Sequence, residues 1–244
     1  MAKFFFFFVL CVRLSAFEPI IVLVGSPGSG KGTFSQYLKE HHGYNHVSIG
    51  DFFRKEITRG TPLGLELAEW KKRGEHSPPA LKALKRTLIS AVITDLVSTR
   101  RPLIIDGFVR TEEDALFLYN LLSQLDLLDV TLGISICSDE ASCRERLHHR
   151  QVCPNCGHVY NTQSAPALRA NTCDLCQAPL TQRIDDAPSS IDKRLREYRE
   201  ETGACQTRNI QIYPHLIFSS NIPLSECLKA YSEFAEQVAQ FSGT

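Results

Sequence analysis

Residues Gly25-Ser26-Pro27-Gly28-Ser29-Gly30-Lys31-Gly32-Thr33 lie between an apolar run, Ile20-Ile21-Val22-Leu23-Val24, and the helix-compatible Phe34-Ser35-Gln36-Tyr37-Leu38. A buried strand, a glycine-rich turn and a helix start, in that order, leave little choice of architecture. The strand belongs in a sheet covered on both faces, and the turn presents backbone N–H groups at the positive end of a helix dipole. Such a cradle holds phosphate oxygens. Glycine is needed there because a Cβ would block close approach and forbid the dihedrals. On this reading Gly28, Ser29, Gly30, Lys31, Gly32 and Thr33 bind the phosphates of a nucleotide such as ATP, with the Lys31 ammonium on the outer ones. The usual pattern puts a hydroxyl directly after the lysine. Here Gly32 intervenes and the hydroxyl comes at Thr33, which leaves its assignment to Mg²⁺ open.

Hydrophobic periodicity predicts strands over 20–24, 102–106, 131–137 and 215–219. Helical patterns fill 31–41, 51–59, 63–73, 79–98, 112–125, 139–149, 188–202 and 224–240. Strands alternating with helices of this length predict a three-layer α/β sandwich around a central parallel sheet, with ligands at the carboxyl ends of the strands. There is no internal repeat. The texture changes only over 150–185, which is rich in cysteine and turn residues and reads as an inserted module.

Within it, Cys153-Pro154-Asn155-Cys156 and Cys173-Asp174-Leu175-Cys176 are two CxxC knuckles, separated by a spacing on the order of 15–20 residues, as in zinc ribbons. Two thiolates on each tight turn close a tetrahedral shell, and four sulfur ligands leave no place for water, so the expected Zn²⁺ is structural. The other five of the nine cysteines are scattered, which fits a reducing compartment better than a disulfide framework. Basic and acidic residues balance at 27 each, and the cysteine module carries few basic ones, which argues against a nucleic-acid partner. At the N-terminus, Lys3 and the run Phe4 to Val12 resemble the start of a signal peptide, but the run is too short to span a bilayer. Residues 1–17 are read as a dispensable extension, and the expected location is cytoplasmic, away from any membrane.

The remaining chemistry-bearing residues are arginines beside landmarks. Asp106-Gly107-Phe108-Val109-Arg110-Thr111 puts a carboxylate at the end of a hydrophobic strand, where it can hold Mg²⁺ through water, with Arg110 on the next loop. Arg54 stands one turn into the helix that begins near Ser48-Ile49-Gly50-Asp51. Arg146 and Arg150 share a helical face leading into the cysteine module, and Arg183 and Arg194 follow it.

These segments occur in an order that resembles bacterial adenylate kinases of the long, zinc-lid type. The match rests on Gly-Lys-Gly-Thr, Gly-Asp-x-x-Arg, Asp-Gly-Phe-x-Arg-Thr, the CxxC pair and Arg183-Ile184-Asp185-Asp186. The resemblance implies a P-loop core (18–149 and 188–244) with a helical monophosphate-binding part over 48–77 and a zinc lid over 150–187. It implies reversible transfer of the γ-phosphoryl group from MgATP to a nucleoside monophosphate, most simply AMP, by a monomer. Carried over by position, Lys31, Arg110, Arg150, Arg183 and Arg194 are the catalytic set, and Arg146 lies against the ATP base. Ile49, Arg54, Ser77, Arg110, Asp114, Arg183 and Arg194 bind the monophosphate, and Asp106 orders the magnesium shell.

The departures cluster. The family usually has threonine at Ile49, proline at Val109, an apolar pair at His76-Ser77 and glutamine at Asp114. An ionised carboxylate only accepts hydrogen bonds, so Asp114 faces the ring-nitrogen lone pair of adenine badly and suits the adjacent N–H groups of guanine. A kinase for another monophosphate, such as GMP, therefore stays open at this level. So does a non-catalytic P-loop or zinc-ribbon binding protein.

Overall fold

The computed structural model describes residues 18–72, 78–99, 101–203 and 215–242; the expected extension over 1–17 and the candidate Ser77 lie outside them. Its strands are β1 (Ile20–Gly25), β2 (Asn45–Ser48), β3 (Leu103–Asp106), β4 (Thr131–Cys137), β5 (Arg150–Val152), β6 (Val159–Asn161) and β7 (His215–Ser219). Its helices are α1 (Lys31–His42), α2 (Ile49–Arg59), α3 (Pro62–Lys72), α4 (Pro79–Thr99), α5 (Glu112–Gln124), α6 (Glu140–His148), α7 (Pro188–Glu197) and α8 (Leu224–Ser242).

Strand β1 shows why the chain makes three layers. Its side chains alternate between faces, so Ile20 and Val22 enter one core while Ile21 and Leu23 enter the other. The first core is closed by Ile89 and Ile93 of α4 and by Leu118 and Leu122 of α5. The second is closed by Phe34 and Leu38 of α1 and by Tyr231 and Phe234 of α8. Phe34 meets Tyr231 edge to face, with ring centroids 4.8 Å apart. Each fully buried side chain of this size contributes about 1.5–3 kcal/mol, so both helical layers are needed to cover the sheet.

The sheet is parallel throughout in the order β2-β3-β1-β4-β7, and the register sets Leu23 beside Asp106 and Asp106 beside Ser48. All functional loops therefore leave from one edge. The predicted parallel α/β sandwich is present, including the strand at 215–219. Strand β2 was not legible: Asn45-His46-Val47-Ser48 is short and only partly buried, and its start is tied by Asn45 N–H to the Pro102 carbonyl at 2.8 Å. The helix predicted over 188–202 ends at Glu197 and continues as a π-helical turn, Tyr198–Gly203. Helix α2 starts two residues early because the Ser48 hydroxyl accepts the Asp51 N–H.

Two smaller units stand beside the sheet. Helices α2 and α3 approach so closely that a Cβ at Gly64 would strike the Glu56 backbone, and Leu67 and Trp70 of α3 pack with Leu81 of α4. Strands β5 and β6 form an antiparallel pair around Cys153, Tyr160, Cys173 and Leu180. No described helix is long and apolar enough to cross a membrane.

Candidate active site

The phosphate loop runs from Gly25 to Gly30, and Gly30 caps α1 in the left-handed region without a side-chain cap. The first N–H groups of α1 thus point into the loop, as an anion requires. Gly28 has φ +82°, and a Cβ there would run into the Cys143 carbonyl of α6. Lys31 Nζ donates to the Gly25 and Ser26 carbonyls at 2.6 and 2.9 Å. Burial pulls the ammonium down to about 8, against the pull of Asp106 and with the push of Arg194 and Arg110. A cation held at that cost is suited to a bound polyanion.

Asp106 ends β3 next to this lysine, 3.4 Å from His46 Nε2 on β2. Burial would raise its carboxyl, but the His46 hydrogen bond and the Lys31 charge hold it below the usual range. It stays anionic, as a group that orders the waters of a magnesium ion must.

Four of the predicted arginines converge, on three carboxylates. Arg54 reaches Asp51 Oδ1 through Nη2 at 2.6 Å and approaches Asp185 Oδ2 at 3.4 Å. Arg183 donates to the same Asp51 oxygen at 3.1 Å. Arg150 binds Asp186 with Nε and Nη2 at 2.8 and 2.6 Å, and Arg194 Nη1 reaches Asp186 Oδ1 at 2.9 Å. These guanidiniums come from α2, β5, the turn before α7 and α7 itself. Arg183 is lowered to about 10, first by burial and then by Arg54 and Arg150, and Arg194 is lowered by burial before any charge. Three aspartates do not satisfy this crowd of cations. The positive field calls for anionic ligands, and planar guanidinium forks suit phosphate oxygens.

Arg110 extends from the β3–α5 loop with an exposed side chain, and its charge acts on Lys31. Arg146 stands on α6. Its Nη1 donates to Ser138 and Ser220 hydroxyls at 3.2 and 3.1 Å, and Ser220 Oγ donates to the Ser29 carbonyl at 2.8 Å. Ile49 is buried in the core under α4 and α5. Asp114 is buried too, with its Oδ2 2.9 Å from Lys85 Nζ. Lys85, His46 and Ser220 were missed from sequence because each acts through a partner far away in the chain.

The four cysteine sulfurs lie within 4.8 Å of one another, with Cys153–Cys176 at 3.4 Å and Cys156–Cys173 at 3.6 Å. A tetrahedral ion with bonds of about 2.3 Å needs sulfur–sulfur edges of about 3.8 Å, so the donor set fits. Burial alone would raise the Cys173 thiol, but the Tyr160 hydroxyl and nearby N–H groups pull it down toward the thiolate a metal binds. The described cysteines are all free thiols.

The comparisons with known proteins bear on this arrangement directly. The family model for adenylate kinase matches residues 23–208, a span holding the phosphate loop, the arginine cluster and the cysteine module. The chain belongs to the adenylate kinase family. It is 36 % identical over 179 residues to an adenylate kinase of Pyrococcus furiosus, covering 73 % of this chain and 78 % of that one. It is 36 % identical over 186 residues to one from Ruminiclostridium cellulolyticum, covering 75 % and 83 %. A third, from Borrelia duttonii, is 33 % identical over 204 residues, covering 82 % and 85 %. As an adenylate kinase family member the chain is a phosphotransferase that binds ATP. Its parallel sheet and flanking helices are the adenylate kinase fold.

Proposed function

We propose that this protein catalyses ATP + AMP = 2 ADP, with magnesium carried on the ATP. The observation that carries the reading is the gathering of Arg54, Arg150, Arg183 and Arg194 beside the Lys31 loop. A binder of one nucleotide has no use for so many guanidiniums. Two polyanions brought end to end do.

In this reading the loop Gly28 to Thr33 holds the ATP phosphates and Lys31 the outer ones, while Arg146 lies against the ATP base. Arg54 and Arg110 hold the AMP phosphate. Arg150, Arg183 and Arg194 neutralise the charge spread over the transferring group, and Asp106 orders the waters of the magnesium ion. No catalytic base is required, because the attacking phosphate oxygen is already anionic. Catalysis is alignment in line plus charge neutralisation.

Residues 150–187 act as a lid and 48–77 as the AMP-binding part, with closure excluding water that would otherwise hydrolyse ATP. Zn²⁺ on Cys153, Cys156, Cys173 and Cys176 gives the lid a fixed shape. The scattering of the cysteines outside the zinc knuckles fits a reducing, cytosolic setting, where the enzyme works as a monomer without nucleic acid or membrane. Guanine would need Asp114 as an available acceptor, and its buried Oδ2 already takes bonds from Lys85 and from the Arg110 N–H, which leaves AMP as the simpler acceptor.

The test is ADP formation from MgATP with AMP, GMP, CMP or UMP offered singly. Turnover with AMP far above the others is expected. Equal or better turnover with another monophosphate, or none with any of them, would refute the assignment.

A further inference from the structure

A buried ion pair joins α4 to α5 on the acceptor side of the site. Lys85 Nζ lies 2.9 Å from Asp114 Oδ2, with side chains only 7 % and 3 % exposed. The same carboxylate oxygen accepts the backbone N–H of Arg110 at 3.2 Å. Asp114 is itself fixed, since its N–H donates to Thr111 Oγ1, the N-cap of α5. The Lys85 ammonium lies 5.3 Å from the ring centroid of Phe108, which is fully buried. Both ends of the loop segment 108–110 thus rest on this one pair.

Stability alone is a weak reason for such a pair. Removing two charges from water costs about as much as their attraction returns, and an apolar pair of similar size would hold two helices at least as well. Along the same seam the exposed pair Lys82–Glu113, at 3.0 Å, ties α4 to α5 without any burial of charge. What an apolar pair cannot supply is an acceptor for the Arg110 N–H. The loop has special need of one. Gly107 has φ +71°, and Val109 brings none of the restraint on φ that a proline would.

We infer that Lys85 and Asp114 are positioning residues for Arg110: Asp114 holds the Arg110 backbone N–H, and Lys85 keeps that carboxylate buried and in place. The inference rests on the reading above in which Arg110 holds the acceptor phosphate. Asp114, expected from the sequence to face the acceptor base, has its Oδ2 engaged by Lys85 and the Arg110 N–H instead, so the pair acts through the direction in which the Arg110 side chain leaves the loop. Lys85 is the informative member. In sequence it is one of three cations on α4, with Lys82 and Arg86, and only the helical register buries it.

Two charge-neutral double variants separate the hydrogen bond from the charge. K85M/D114N keeps an acceptor at position 114, and K85M/D114A does not. With KM measured separately for AMP and ATP, K85M/D114A should raise the AMP value about tenfold and leave the ATP value within about twofold, while K85M/D114N returns to within about threefold of the parent. One shared AMP KM for the two variants, or an ATP KM rising in step with that for AMP, would overturn the inference.

R110A separates this inference from the reading beneath it. An AMP KM raised at least as far as in K85M/D114A supports both. An unchanged one in an active enzyme removes Arg110 from the acceptor site, and the inference falls with it. A parent protein that forms no ADP refutes the proposed function itself. Amide hydrogen exchange at Arg110 in the parent needs no variant: protection supports the bond to Asp114, and exchange at the rate of an open loop overturns it.

Discussion

Asp186 holds Arg150 by two parallel bonds, from Nε at 2.8 Å and Nη2 at 2.6 Å, and its side chain has no exposure to solvent. Arg194 donates to the same carboxylate at 2.9 Å. One buried aspartate therefore aims two arginines that lie on either side of the cysteine module in sequence. Replacing it by alanine leaves two guanidiniums without their anchor, and breaking a buried pair from one side costs about 3–5 kcal/mol.

For Asp186→Ala we expect a stability loss of that order and a kcat about 100-fold lower, because the guanidiniums would have to be positioned during each turnover. Asp186→Asn keeps one acceptor and should fall between the variant and the parent. Denaturant melts alongside steady-state kinetics read both quantities. A D186A protein as stable and as active as the parent would show that the arginines do not need this anchor.

The depressed pKa of Lys31 makes nucleotide binding proton-linked. Its ammonium titrates at about 8 in the ligand-free protein, against an ordinary value of 10.5, because burial disfavours the charge. Phosphates on the loop raise it again. Binding of MgATP at pH 9 should therefore take up protons, and binding at pH 6.5, where Lys31 is already charged, should take up almost none. Calorimetry in two buffers of different ionisation enthalpy reads the difference. The sign for folding follows as well: between about 8 and 10.5 the unfolded chain binds the extra proton, so this lysine makes ligand-free stability rise with pH across that window. Equal proton uptake at both pH values would remove Lys31 from the phosphates.

The parts of the site legible in sequence were those whose chemistry is local. The phosphate loop shows itself because backbone N–H groups, glycine dihedrals and a helix start must follow one another along the chain. The cysteine knuckles show themselves because two ligands share each turn. The arginines were visible as a residue type beside loops, but their partners were not. Asp51, Asp185 and Asp186 stand inside motifs that carry the family resemblance, but which arginine each one holds emerges only when the fold brings α2, β5 and α7 together. Strand β2 escaped because four residues with one aliphatic side chain, Val47, carry no usable period. Lys85 escaped because burial of one cation among three depends on which face of α4 meets α5, and that is a property of packing.

The four-cysteine cluster predicts one bound zinc per chain, held by Cys153, Cys156, Cys173 and Cys176. Strong chelation, or Cys173→Ser, should release it and lower the melting temperature by at least about 5 °C, since a closed thiolate site contributes folding energy outright. Elemental analysis gives the stoichiometry and calorimetry the shift. The sheet core does not depend on the metal, because its two apolar layers are built from α1, α4, α5 and α8. A metal-free protein that melts at the same temperature as the purified one would dismiss a structural ion here.

Ser220 is the buried link between the phosphate loop and Arg146. Its side chain donates to the Ser29 carbonyl at 2.8 Å and accepts from Arg146 Nη1 at 3.1 Å, while its own carbonyl takes a bond from Arg146 Nη2. Its N–H is bound to the Cys137 carbonyl at the end of β4 at 2.8 Å, so the residue is fixed to the sheet. Alanine at this position leaves a loop carbonyl and a guanidinium N–H each short of a partner. A buried group left unpaired costs about 1–3 kcal/mol. The damage lies at the loop and arginine proposed to hold ATP, whereas Arg54 and Arg110 are proposed to hold AMP. Ser220→Ala should thus raise the KM for ATP about tenfold and that for AMP by less than about twofold, with kcat little changed. Equal increases for both substrates would mean that the serine supports the fold as a whole and has no special part in holding ATP.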